Sequence, residues 1–106
     1  MNEFYFSFLL ENDDDISIKH LELGLKTCKY ACLALSQMYA ENCENTPDFQ
    51  YTFQLIKMFN NVLTKLINLS LKYQLNEYFD YLTQVMIPEL IKFLLYTIFS
   101  YFVIRS

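Results

Sequence analysis

The 106 residues are 54% apolar and 19% charged with a formal net charge of −4, a globular composition that excludes a disordered chain and a general polyanion binder. One Gly and two Pro against ten Phe and nine Tyr leave too little turn material for a sandwich of about seven strands. Long helices in one domain spanning residues 1–106 are expected. The excess of Phe and Tyr and the scarcity of Gly, Pro and Arg also follow AT-rich codons, pointing to a viral or low-GC bacterial origin. Cys28, Cys32 and Cys43 are too few and too oddly spaced for a disulfide framework, so a reduced, cytoplasmic protein with core thiols is expected. The start, MNEFYFSFLL, has no basic n-region and no small-residue cleavage site, so no signal peptide is expected.

Residues 1–14 read as a short arm or helix: Phe4, Phe6 and Phe8 alternate as in a strand, but no second strand candidate exists to pair with them. The run ENDDD at residues 11–15 supplies capping oxygens and negative charge to the start of a helix. Asp13, Asp14 and Asp15 are also candidates for steering a basic partner. A first helix over 15–42 follows from Ile18, Leu21, Leu25, Cys28, Cys32, Leu35 and Tyr39, spaced alternately three and four apart. Gly24 inside that helix costs about 1 kcal/mol against Ala, which predicts a close packing contact there.

A second helix over 47–75 is predicted, with Thr46 as N-cap, Pro47 in the first helical position and Asp48 in the first turn. Its apolar seam is Leu55, Phe59, Val62, Leu66, Leu69 and Tyr73, widened by Ile56, Leu63 and Ile67. Gln50, Gln54, Lys57, Asn61, Lys65, Asn68 and Lys72 mark the opposite side. A third helix over 77–104 is predicted, capped by Asn76 and kinked or interrupted at Pro88. The segment LKYQLNEYFD has neither Gly nor Pro, so one long helix bent near residue 75 is the alternative to two. The fold class expected is all-α: an antiparallel three-helix bundle with an N-terminal arm, forming oligomers.

The tail FLLYTIFSYFVIRS, residues 93–106, decides most of the functional reading. Apolar residues in window 85–104 favour membrane insertion by roughly 4 to 7 kcal/mol, while Glu89 and Lys92 oppose it by about 5 to 7 kcal/mol. That balance is too even for a dedicated anchor. Glu89, Lys92, Tyr96 and Ser100 form a narrow polar stripe on an otherwise apolar helix, and two neighbours can cover only about half of such a helix. The remaining face is expected to meet another chain, with Tyr96, Phe99, Phe102 and Val103 as candidate contacts. Tyr78, Tyr81 and Tyr101 suit either an interface or the rim of the core.

Chemistry finds little footing. His20 is the only histidine, and no phosphate loop, nucleophile elbow or HExxH occurs, so no catalytic residues, no cofactor and no enzymatic activity are expected. Cys28, Cys32 and His20 offer too few ligands for zinc, and core thiols are preferred over a metal site. Lys57, Lys65 and Lys72 with Asn61 and Asn68 could meet nucleic acid only weakly, and a solvated face is the preferred explanation of the same residues. The expectation is a non-catalytic protein-interaction module, a homodimer or small acidic subunit. By kind alone, such chains from AT-rich replicons resemble inhibitors of the antitoxin, immunity or anti-defence type. A membrane-associated protein anchored by the last helix is the alternative, and a weak nucleic-acid-binding subunit a further one.

Overall fold

The structure, a computed structural model, describes residues 18–41 and 48–105. The arm over residues 1–14, Asp13, Asp14, Asp15, Cys43, Thr46 and Pro47 lie outside the described residues. Among the described residues every element is helical and none is a strand. Helix α1 is Ile18–Glu41 and α2 is Phe49–Lys72. The third rod is α3 (Asn76–Tyr81), a π-helical turn (Leu82–Met86) and α4 (Ile87–Arg105), joined without a break. All three pack around one core cluster that includes Leu35, Phe59, Leu66, Leu82 and Phe93.

α1 turns a face of small residues to the core. Gly24, Thr27, Cys28, Ala31 and Leu35 are buried, and Leu21, Leu25, Cys32 and Tyr39 of the expected seam are half-buried against the same core cluster. The reason is steric. Small side chains let the α1 backbone approach the large residues that α2 brings to the same cluster, Phe59, Leu63 and Leu66, as large-against-small packing requires. Gly24 is buried in mid-helix. Thr27 fits the same apolar surroundings because its hydroxyl donates to the Leu23 carbonyl at 2.9 Å.

α2 is the central helix. Its buried residues, among them Thr52, Leu55, Phe59, Val62, Leu66 and Leu69, recur three and four apart along its whole length. One flank meets α1, where the Thr52 hydroxyl lies 3.9 Å from the Met38 sulfur. The other meets α4, where Phe49 stands edge-on to Tyr101 with centroids 5.3 Å apart. The N-cap is Asp48 rather than Thr46: its Oδ1 accepts from the Tyr51 N–H at 3.1 Å, and its extended backbone suits the cap position. Tyr73, expected at the end of the apolar seam, is the C-cap instead.

The connection to α3 settles whether the second and third helices are continuous: they are separate. The Leu75 N–H donates to the Ser70 carbonyl at 2.8 Å and the Gln74 N–H to the Leu71 carbonyl at 3.3 Å. That pair of bonds is a Schellman stop. It needs a left-handed residue, and Gln74 supplies it at φ 55. The N-cap of α3 is then Leu75, with no side-chain cap bond, and Asn76 is the first helical residue rather than the cap.

The interruption expected at Pro88 is a π turn just before it. The Ile87 N–H bonds the Leu82 carbonyl, five residues back. Pro88 has no N–H, so ordinary winding would leave the Gln84 carbonyl unpaired and crowd it against the ring. Wider winding relieves both. It also corrects the phase. Twelve residues of α-helix would leave Tyr78 and Leu90 about 120° apart, and the extra residue takes back about 100°. Tyr78, Leu82, Met86 and Leu90 thereby all reach the core cluster.

Two hydroxyls tie the rod to α1. Tyr78 Oη donates to the Leu21 carbonyl at 3.0 Å, and Tyr39 Oη shares a hydrogen bond with Thr97 Oγ1. Thr97 also donates to the Phe93 carbonyl at 2.8 Å. Among the described residues no buried side-chain nitrogen or oxygen lacks a partner. Because Gln74 carries a Cβ into the left-handed region, Gln74→Gly is expected to stabilise the fold by about 0.5–1 kcal/mol. Urea unfolding followed at the helical dichroism band reads this as a raised midpoint with an unchanged slope.

Candidate interaction surface

α4 has three sides. Its buried side is narrow: Phe93 and Thr97 are covered completely or nearly so, and Leu90 and Tyr101 partly. A polar strip adjoins it. There Lys92 Nζ lies 2.8 Å from Glu89 Oε2 and 4.6 Å from the Phe93 ring centroid. The hydrogen bond to Glu89 holds the ammonium above its ordinary pKa. Tyr96 continues the strip, half exposed and edge-on to Tyr39 at 5.8 Å.

The third side is apolar and open. It carries two ridges with a spacing of four, Ile91–Leu95–Phe99–Val103 and Leu94–Ile98–Phe102, all of them exposed. Exposure grows toward the C-terminal end, from 50% at Ile91 to 71% at Val103 on one ridge and from 39% at Leu94 to 65% at Phe102 on the other. No charged residue interrupts either ridge. Beside the second ridge, α2 and α4 enclose a groove of about 310 Å³ lined by Phe53, Ile56, Lys57, Asn60, Leu90 and Leu94. Phe53 extends the apolar surface onto α2.

The structure therefore brings Phe99, Phe102 and Val103 together on the open face and sets Tyr96 at its polar border. Sequence reasoning passed over Phe53, Ile91, Leu94, Leu95 and Ile98. The usable signal was the pair of i, i+4 ridges lying opposite Phe93 and Thr97. Of the other tyrosines, Tyr78 is tied to Leu21, Tyr101 packs on Phe49 and Phe53, and Tyr81 has the Lys29 ammonium 6.0 Å from its ring. A shallow depression of about 710 Å³ near Tyr78 and Tyr81 is lined also by Leu25, Lys29, Leu75, Asn76 and Glu77.

The lysines of α2 are spread along the helix, with Lys57 on the groove wall and Lys72 5.4 Å from the Tyr73 ring. Among the described residues no three His, Cys, Asp or Glu side chains gather as a metal site. Cys28 lies in the core cluster and Cys32 packs against it. Burial, reinforced by Cys32, pushes the Cys28 pKa up to about 12, and burial together with Glu89 pushes Cys32 up to about 11. A raised thiol pKa leaves less thiolate at neutral and mildly alkaline pH. In a Cys43→Ser background, iodoacetamide at pH 8 is expected to modify both thiols at least about tenfold more slowly in the native protein than in urea. Mass spectrometry of timed samples gives the two rates.

No family model, no curated protein and no solved structure matches the chain, so a functional reading rests on the geometry of this surface.

Proposed function

We propose that the chain is a non-catalytic interaction module, a small helical subunit or inhibitor that binds another polypeptide on the open face of α4. In this reading the three helices form a bundle in which consecutive helices run antiparallel. That course is supported by Tyr39 meeting Thr97, by Phe49 meeting Tyr101 and by Tyr78 meeting Leu21. One observation carries the functional reading: two uncharged apolar ridges left open on a helix that already has two neighbours. The two phenylalanines bury about 150–250 Å² each when covered, and with the five aliphatic side chains beside them the face offers on the order of 800 Å², the share one partner contributes to an interface of standard size.

A membrane-associated chain is the second reading, favoured by one feature. Residues Asn76–Val103 are long and apolar enough to cross a bilayer, and only 17% of the most apolar window is buried. Against a spanning role stands the packing of Phe93 and Thr97 into the same core as α1 and α2, whose outward sides carry Lys26, Lys29, Lys57 and Asn60. Lipid could encircle the rod only after it had left both neighbours. An in-plane helix would be expected to show a strongly basic rim, whereas Lys92 is paired with Glu89.

A photo-crosslinking phenylalanine analogue placed at Phe99, or at Asn68 as the control, tests the two readings in cells that make the full chain. Protein adducts are expected at position 99 and not at 68. Lipid adducts at 99 would favour the membrane reading, and equal labelling at both positions would remove the case for a docking face.

A further inference from the structure

We infer that the occupant of the open α4 face is a second copy of the same chain, paired about a two-fold axis that passes near Ile98. This rests on the reading of that face as a protein-docking surface and adds the identity of the partner. Three observations support it.

The first is area. One copy offers on the order of 800 Å², and a stable pair needs about 1,600 Å² in total, twice that amount. The face is therefore large enough to serve both sides of an isologous contact. The second is ridge geometry. Each ridge follows an i, i+4 row, and rows of this type from two helices interdigitate at a crossing of roughly 50°, the commonest helix-packing class. A face made of two such uncharged rows is complementary to itself, whereas a foreign basic or acidic partner would find no charge on the ridges to match.

The third is a knob with a matching hole. Phe102, 65% exposed, lies one turn beyond Ile98. Leu94 lies one turn before it, on the wall of a groove of about 310 Å³ that Phe53, Ile56 and Leu90 line together with Lys57 and Asn60, room for a phenyl ring. A two-fold axis at Ile98 carries Phe102 of each copy toward the Leu94 end of the other copy's groove. An aromatic anchor entering a pocket near the centre of an interface is the usual form of a binding hot spot.

The test is sedimentation equilibrium of the purified full chain in detergent-free buffer, with L94E and F102K as single variants. Interfaces of this size span micromolar to picomolar affinity, so at roughly 100 µM the wild-type mass is expected to be twice 12.7 kDa. Each variant is expected to weaken pairing by about 30-fold or more. Both sites are exposed, and unchanged helical dichroism confirms that the fold survives. An equimolar mixture of the two variants is expected to recover pairing, because position 94 of one chain faces position 102 of the other.

A wild-type monomer at that concentration overturns the inference, as does a dimer indifferent to both variants or a mixture that stays monomeric. Crosslinks from position 99 to a different protein, with the purified chain monomeric, would overturn self-pairing while leaving the docking face intact. Binding of the monomer to phosphatidylcholine–phosphatidylglycerol vesicles, lost in both variants, would assign the face to lipid and overturn it as well.

Discussion

The structure depends on α2 having two neighbours while each of the other helices leans mainly on it. Leu55, Phe59, Val62, Leu66 and Leu69 supply the common floor, and α1 touches α2 far more extensively than it touches α4. A three-helix arrangement of this kind shields its middle member best and leaves each outer member open on the side away from it. α1 accepts that position readily because its outer surface carries Glu22, Lys26 and Lys29. α4 does not, because its sequence is apolar on the side facing away as well. The exposed ridges follow from placing the most hydrophobic helix at the edge of the packing instead of at its centre.

Apolar contacts fix which faces meet, but they resist sliding poorly. Axial register between α1 and the rod is set by hydroxyls. Tyr78 reaches the Leu21 carbonyl near the start of α1, and Tyr39 reaches Thr97 near its end. A shift by one turn would break both bonds and leave polar atoms buried without partners, at a cost of about 1–3 kcal/mol for each orphaned group. Burial raises the pKa of both phenols, which keeps them protonated and able to donate across the ordinary pH range. The interior hydroxyls of Thr27, Thr52 and Thr97 turn back to carbonyls in their own helices, so they fill small volumes without opening a polar gap.

The all-helical class was legible because periodicity is a property of the chain itself. The wide apolar seam of α2, with lysines and amides opposite, is read directly from residues 50–72. The paired Glu89 and Lys92 were likewise visible as neighbours on a turn. What escaped depends on partners outside the window being read. The seam drawn through α1 by alternating three-and-four spacing does lie on the core, with Cys28 and Leu35 inside it and Leu25 and Cys32 against it. The buried face is wider than that seam, because the small residues Gly24, Thr27 and Ala31 are covered as well. The stop after α2 carries no Gly, since Gln74 takes the left-handed position itself. The cap at Asp48 competed with an equally good pattern one and two residues earlier. The extent of the open face could not be drawn until Phe93 and Thr97 were known to be its opposite side.

The π turn at Leu82–Met86 gives the rod one residue of slack. Regular winding of the same number of residues would swing everything downstream by about 100°, taking Phe93 and Thr97 off the core and hiding part of what now lies outside. Loss of a single codon within the turn would instead tighten the coil and leave both ends pointing as before. The same loss a few positions later, inside α4, would re-aim the oily exterior wholesale. Length is thus forgiving at one place in this rod and exacting everywhere after it.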